Sequence, residues 1–132
     1  GWRGYVLPRL QSRHDALTAS IMVDVLWWLW HFPKYLVGGF DALFLWTIPD
    51  VIAKAIMLTW LYNNTRGSLL LATIFHAAMN TAAVVLPIAN TAISSHRGAY
   101  VTSGFLELAV ALTIVAVYGR ERLSRSSQPQ VI

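Results

Sequence analysis

Apolar residues in this chain come in long blocks, not at regular intervals. The blocks run about Ala16 to Phe32, Ala42 to Tyr62, Gly67 to Leu86 and Tyr100 to Tyr118. Each is near the roughly 20 residues needed to cross a bilayer core about 30 Å thick. Between them stand Pro33-Lys34-Tyr35 with Gly38-Gly39, then Asn63-Asn64-Thr65-Arg66-Gly67, then Pro87 to Gly98. These compositions end helices and make turns. The pattern predicts an all-α, polytopic transmembrane helical bundle over residues 1–118, with about four spans. A soluble helical bundle is the weaker alternative, because the third block is apolar on all faces where a surface helix would carry a polar stripe. Gly1 to Asp15 mixes Arg3, Arg9, Arg13 and His14 with Tyr5, Val6, Leu7 and Leu10, which suits the membrane interface. Residues 119–132 read as a basic, disordered tail.

Composition agrees with lipid as the solvent. Only 12% of residues are charged, against roughly 25% in a soluble domain, and the mean hydropathy is +0.52. The net charge of +4 does not indicate nucleic acid, because the basic residues stand between apolar blocks and not on one hydrophilic face. They indicate orientation instead. Four spans put Arg3, Arg9, Arg13, Arg66, Arg120, Arg122 and Arg125 on one side and Lys34 and Arg97 on the other, so both ends are expected on the cytoplasmic side of a cell membrane. With no cysteine, thiol catalysis, disulfides and zinc-thiolate sites are excluded. Residue 1 is Gly and no signal segment precedes the first element, so the chain is expected to be part of a longer one.

In so apolar a chain each polar group inside a block needs a reason, since insertion of a charged side chain costs about 2.5–3.5 kcal/mol. The first block holds Asp24 and His31, the second Asp50 and Lys54, the third His76 and Asn80, and the fourth Glu107. Asp50 and Lys54 are four apart and can neutralise each other on one helix face. Glu107 has no local cation. His76 and Asn80 are also four apart, so two hydrogen-bonding groups project from one face among alanines small enough for a neighbouring helix to approach closely. His31 closes the aromatic run Trp27-Trp28-Leu29-Trp30; taken alone it reads as an interfacial anchor. Measured from the same side at about 1.5 Å per residue, His31 lies roughly 21 Å and His76 roughly 14 Å along their helices, a difference that tilt can close.

These residues fall in the pattern of a known family. Gly1-Trp2-Arg3-Gly4-Tyr5-Val6-Leu7-Pro8-Arg9-Leu10 resembles the sequence after the glutamate pair in the CPBP intramembrane proteases, also called the CAAX-protease and bacteriocin-processing or Abi family, which includes the type II CAAX prenyl protease. That family has three motifs, Glu-Glu-x-x-x-Arg, Phe-x-x-x-His, and His-x-x-x-Asn or Asp. Arg3 matches the arginine of the first, Trp27 and His31 the second with Trp in the Phe position, and His76 and Asn80 the third. The glutamates would stand five and four residues before Arg3, ahead of residue 1, so the chain resembles the C-terminal part of such a domain and is expected to be inactive by itself.

The resemblance implies an intramembrane endopeptidase. One glutamate and His31 would activate a water, His76 and Asn80 would stabilise the oxyanion, and Arg3 would pair with a carboxylate to hold the first motif. Two histidines, His31 and His76, with a glutamate could also bind a divalent metal such as zinc, and a metal-free mechanism uses the same residues; both stay open. The implied partners are membrane lipid and a peptide or protein substrate, whether a prenylated C-terminus, a bacteriocin leader or a membrane protein. The rival is a non-catalytic membrane protein, either an immunity or scaffold member of the fold or a transporter fragment using Asp50, Lys54 and Glu107 as a relay.

Overall fold

The computed structural model describes residues 1–40, 44–85 and 97–125. A π-helical turn, Trp2–Val6, runs into α1 (Leu7–Gln11). There follow α2 (Ala16–His31), α3 (Pro33–Gly38), a 3-10 turn at Phe44–Trp46 leading into α4 (Thr47–Asn64), α5 (Leu69–Val85) and α6 (Arg97–Tyr118). The described residues form no strand, and all four apolar blocks contain a helix. Among the described residues, two segments, Phe44–Asn64 and Gly98–Tyr118, are long and apolar enough to cross a membrane, while the described part of α5 is apolar but shorter. The loop expected from Pro87 lies outside the described residues except for its last positions, which already belong to α6.

Local chemistry sets the helix ends. The Asp15 carboxylate accepts from the Thr18 backbone N–H and hydroxyl, both at 2.9 Å, capping α2. Pro33 ends α2 and opens α3, and Gly39, at φ +85°, stops α3 in a conformation that side-chain-bearing residues avoid. After α4, Gly67 adopts φ +73° and donates its N–H to the Tyr62 carbonyl at 2.9 Å, closing the turn to α5.

Helix α4 is the centre of the bundle, packing on α6, α2 and α5. Its contact with α6 and the start of α2 buries Ala16, Ala53, Ile56, Ala111, Ile114 and Leu123. The alanines there let backbones approach closely. Ser20 and Thr59 share a fully buried hydrogen bond of 2.9 Å between α2 and α4. A few polar groups thus lie inside the bundle beside its small apolar core, while many large apolar side chains face outward. Leu70 is 70% exposed, Val84 76% and Leu106 65%, a surface compatible with lipid contact.

Two sequence expectations change. Residues 119–125 are not a disordered tail: the chain turns back at Gly119, Leu123 is fully buried, and the carbonyls of Arg120 and Glu121 accept the backbone N–H groups of Leu17 and Ala16. Asn63 and Asn64 donate to the Arg122 and Leu123 carbonyls at 2.7 and 2.9 Å. The polar face that made this segment look unstructured satisfies the open end of α2, which local composition does not reveal. Arg3, counted among the interfacial arginines, points inward, where its side chain is 13% exposed.

Candidate active site

Trp27 and His31 are one turn apart near the end of α2. The His31 Nδ1 lies 2.9 Å from the Trp27 carbonyl oxygen. A carbonyl can only accept, so Nδ1 carries the proton and, in the neutral ring, Nε2 keeps its lone pair. The His31 ring rests against the Trp27 indole with centroids 4.0 Å apart. The same indole meets the His76 ring edge to face, with centroids 6.4 Å apart and planes at 73°. Trp27 thus touches both histidines and joins α2 to α5.

Asn80 follows His76 by one turn on α5 and is exposed, with no hydrogen-bond partner among the described residues. Arg3 Nη2 donates to Asp24 Oδ2 at 2.9 Å, linking the first turn of the chain to α2. On the α4 side of Asp24 lies a cleft of about 190 Å³, lined by Asp24, Val25, Trp28, Ile48, Val51 and Ile52. The Trp28 indole N–H crosses between its walls to Thr47 Oγ1 at 3.1 Å.

A second polar cluster occupies the α4–α6 contact. Lys54 Nζ donates to both oxygens of Asp50 at 2.6 and 2.7 Å and lies 3.3 Å from Glu107 Oε2. Glu107, which has no cation nearby in the sequence, has one supplied by the neighbouring helix. For a metal, the fit is incomplete: no group of three or more His, Asp or Glu side chains converges among the described residues. His31 and His76 offer two donors, one fewer than the three that a catalytic zinc takes from protein.

Spacing singled out His76 and Asn80, and the family resemblance added Arg3, Trp27 and His31. The structure joins Trp27 to His31 and His76 by ring contact and carries Asn80 on the same helix as His76. It adds Asp24, which spacing could not assign, because its partner is 21 residues away and enters from a different element.

Fold and polar residues together define a bundle of apolar helices in which one indole, Trp27, meets a histidine of α2 and a histidine of α5. The family model described as type II CAAX prenyl endopeptidase Rce1-like matches residues 1–82, and the chain belongs to that family. The matched stretch contains Arg3, Asp24, Trp27, His31, His76 and Asn80, and stops before α6. A relative named CAAX prenyl protease 2, from Methanococcus maripaludis, is 35% identical over 89 residues, covering 61% of this chain and 33% of the relative. The chain therefore spans about a third of the length of that relative in the match. No solved structure matches the chain.

Proposed function

We propose that this chain carries the histidine half of a prenyl endopeptidase active site, cleaving a peptide bond within the membrane. The observation that carries this reading is the Trp27 indole in contact with both His31 and His76, in a chain whose family model spans both residues. His31, with its Nδ1–H held by the Trp27 carbonyl, presents Nε2 as the base that takes a proton from the attacking water. It shares that work with a glutamate expected ahead of residue 1. His76 and Asn80 each supply an N–H to the oxygen of the tetrahedral intermediate, and such a donor is worth about 10²–10³ in kcat. Proton return to the leaving amine completes hydrolysis, with His31 acting as acid. The apolar surroundings strengthen these interactions by keeping competing solvent away.

The substrate class in this proposal is a protein with a prenylated C-terminal peptide. Orientation follows from charge: Arg9, Arg13, Arg66, Arg120, Arg122 and Arg125 are exposed around the end of the bundle where α2 and α5 begin and α4 and α6 finish, so that end faces the cytoplasm.

The test uses the full-length protein reconstituted in vesicles, with a farnesylated peptide and its unprenylated counterpart as substrates. Cleavage of the farnesylated peptide that is lost in both His31→Ala and His76→Ala is the expected result. Activity surviving both substitutions overturns the assigned roles. Cleavage of the unprenylated peptide alone overturns the substrate class.

A further inference from the structure

We propose that Asp24 is a positioning residue of this hydrolytic site and acts through Arg3. The role rests on the endopeptidase reading of the same residues and adds a group that the motif pattern does not contain.

Asp24 is a carboxylate in the middle of an apolar helix, with its side chain only 9% exposed. Its bond to Arg3 at 2.9 Å ties α2 to the Trp2–Val6 turn. That turn is also held from the other side. Gly4 sits so close to α5 that a Cβ there would lie 2.8 Å from Leu69 Cδ1. The first turn is thereby wedged between the helix that bears His31 and the helix that bears His76. Asp24 is three residues before Trp27, the ring that touches both histidines.

The guanidinium plane makes this bond directional. With Nη2 fixed on Asp24, the direction of Nη1 is set as well, and Nη1 is buried without a hydrogen-bond partner among the described residues. A carboxylate about one turn ahead of Arg3, where the family resemblance expects a glutamate, would be within reach of this spare donor. Asp24 therefore orients the arginine that receives the water-activating segment. An apolar pair of similar volume would hold helix to turn about as firmly; what it would lack is the aimed donor.

The test compares Asp24→Asn, Arg3→Ala and the double variant Arg3→Ala/Asp24→Asn in the full-length protein, with His31→Ala as reference. Asp24→Asn is expected to lower kcat at least tenfold with KM within about threefold. Asp24→Glu, which restores the carboxylate, recovers part of that loss. Because Asp24 acts through Arg3, the double variant loses no more than Arg3→Ala alone. If Asp24→Asn does not accumulate folded, the double variant, which leaves no buried charge unpaired, gives the reading by comparison with Arg3→Ala. Wild-type kcat in Asp24→Asn, or a double-variant loss equal to the product of the single losses, overturns the proposal. Both outcomes leave the endopeptidase reading standing as long as His31→Ala is inactive, whereas an active His31→Ala strikes that reading itself.

Discussion

Arg3 with Asp24, and Lys54 with Asp50 and Glu107, are both clusters of cation and carboxylate inside apolar helices, yet they are put together in opposite ways. Lys54 and Asp50 are one turn apart on α4, and Glu107 joins from α6. Arg3 reaches Asp24 from a different element 21 residues away, on the side of the bundle where Trp27 meets the two histidines. The family match covers the whole Arg3 cluster but excludes Glu107. A local pair removes the cost of its own charges and leaves little for orienting other groups. A long-range pair fixes the relative position of two elements: Lys54 with Glu107 does so for α4 and α6, and Arg3 with Asp24 does so for the first turn and α2, the helix that bears His31.

The comparison can be broken by substitution. His31→Ala should abolish cleavage, lowering kcat by about 10³-fold or more, whereas Lys54→Met should leave kcat within about threefold; equal losses in a cleavage assay would erase the distinction between the clusters. His76→Ala and Asn80→Ala should each cost about 10²–10³ in kcat, with a much smaller change in KM, as expected of oxyanion donors. On stability, Arg3→Ala strands the Asp24 carboxylate among apolar groups and should cost about 3–5 kcal/mol in denaturation measured in detergent. Lys54→Met should cost less, about 1–3 kcal/mol, because the two carboxylates it leaves, Asp50 and Glu107, both face the lysine position and can share one proton there, whereas Asp24 has no second carboxylate beside it. A larger loss at Lys54 than at Arg3 would reverse the ranking.

The smallest effect lies outside both clusters, at the cap of α2. Hydrogen bonding from the Thr18 backbone N–H, reinforced by the Thr18 hydroxyl and by Arg120 at 3.0 Å, lowers the Asp15 carboxyl from 3.8 to about 2. The folded form holds the ionised group more tightly than the unfolded chain does. This contribution is complete above about pH 4 and is lost as pH falls through 2. Asp15→Ala should cost about 1 kcal/mol at neutral pH, and the cost should shrink between pH 4 and pH 2 in thermal melts. A pH-independent cost would show that the ionised cap contributes nothing.

Much of the bundle was legible along the chain because a bilayer imposes a length and a composition on each segment. Block lengths marked the helices, Gly38-Gly39 and Arg66-Gly67 marked the turns, and the i, i+4 spacings put Asp50 beside Lys54 and His76 below Asn80. Those features depend on a few neighbouring residues, and a helix repeats every 3.6 of them. What the chain could not show was which polar group meets which from another helix. Glu107 had no cation nearby in the sequence, Arg3 stood among interfacial residues with an unnamed carboxylate as its implied partner, and residues 119–125 seemed unstructured. Each changed meaning when a distant segment came into contact: Lys54 for Glu107, Asp24 for Arg3, and the end of α2 for the returning chain.

The sequence by itself determined an all-helical bundle of apolar segments, the few polar residue types inside it and the family motifs they occupy. Tertiary structure alone decided that Trp27 would be shared by His31 and His76, and that Arg3 would turn inward to Asp24. The physical reason is range. Helix formation and partition into lipid are summed over local segments, whereas a directional bond between two buried charges exists only after the helices that carry them have packed.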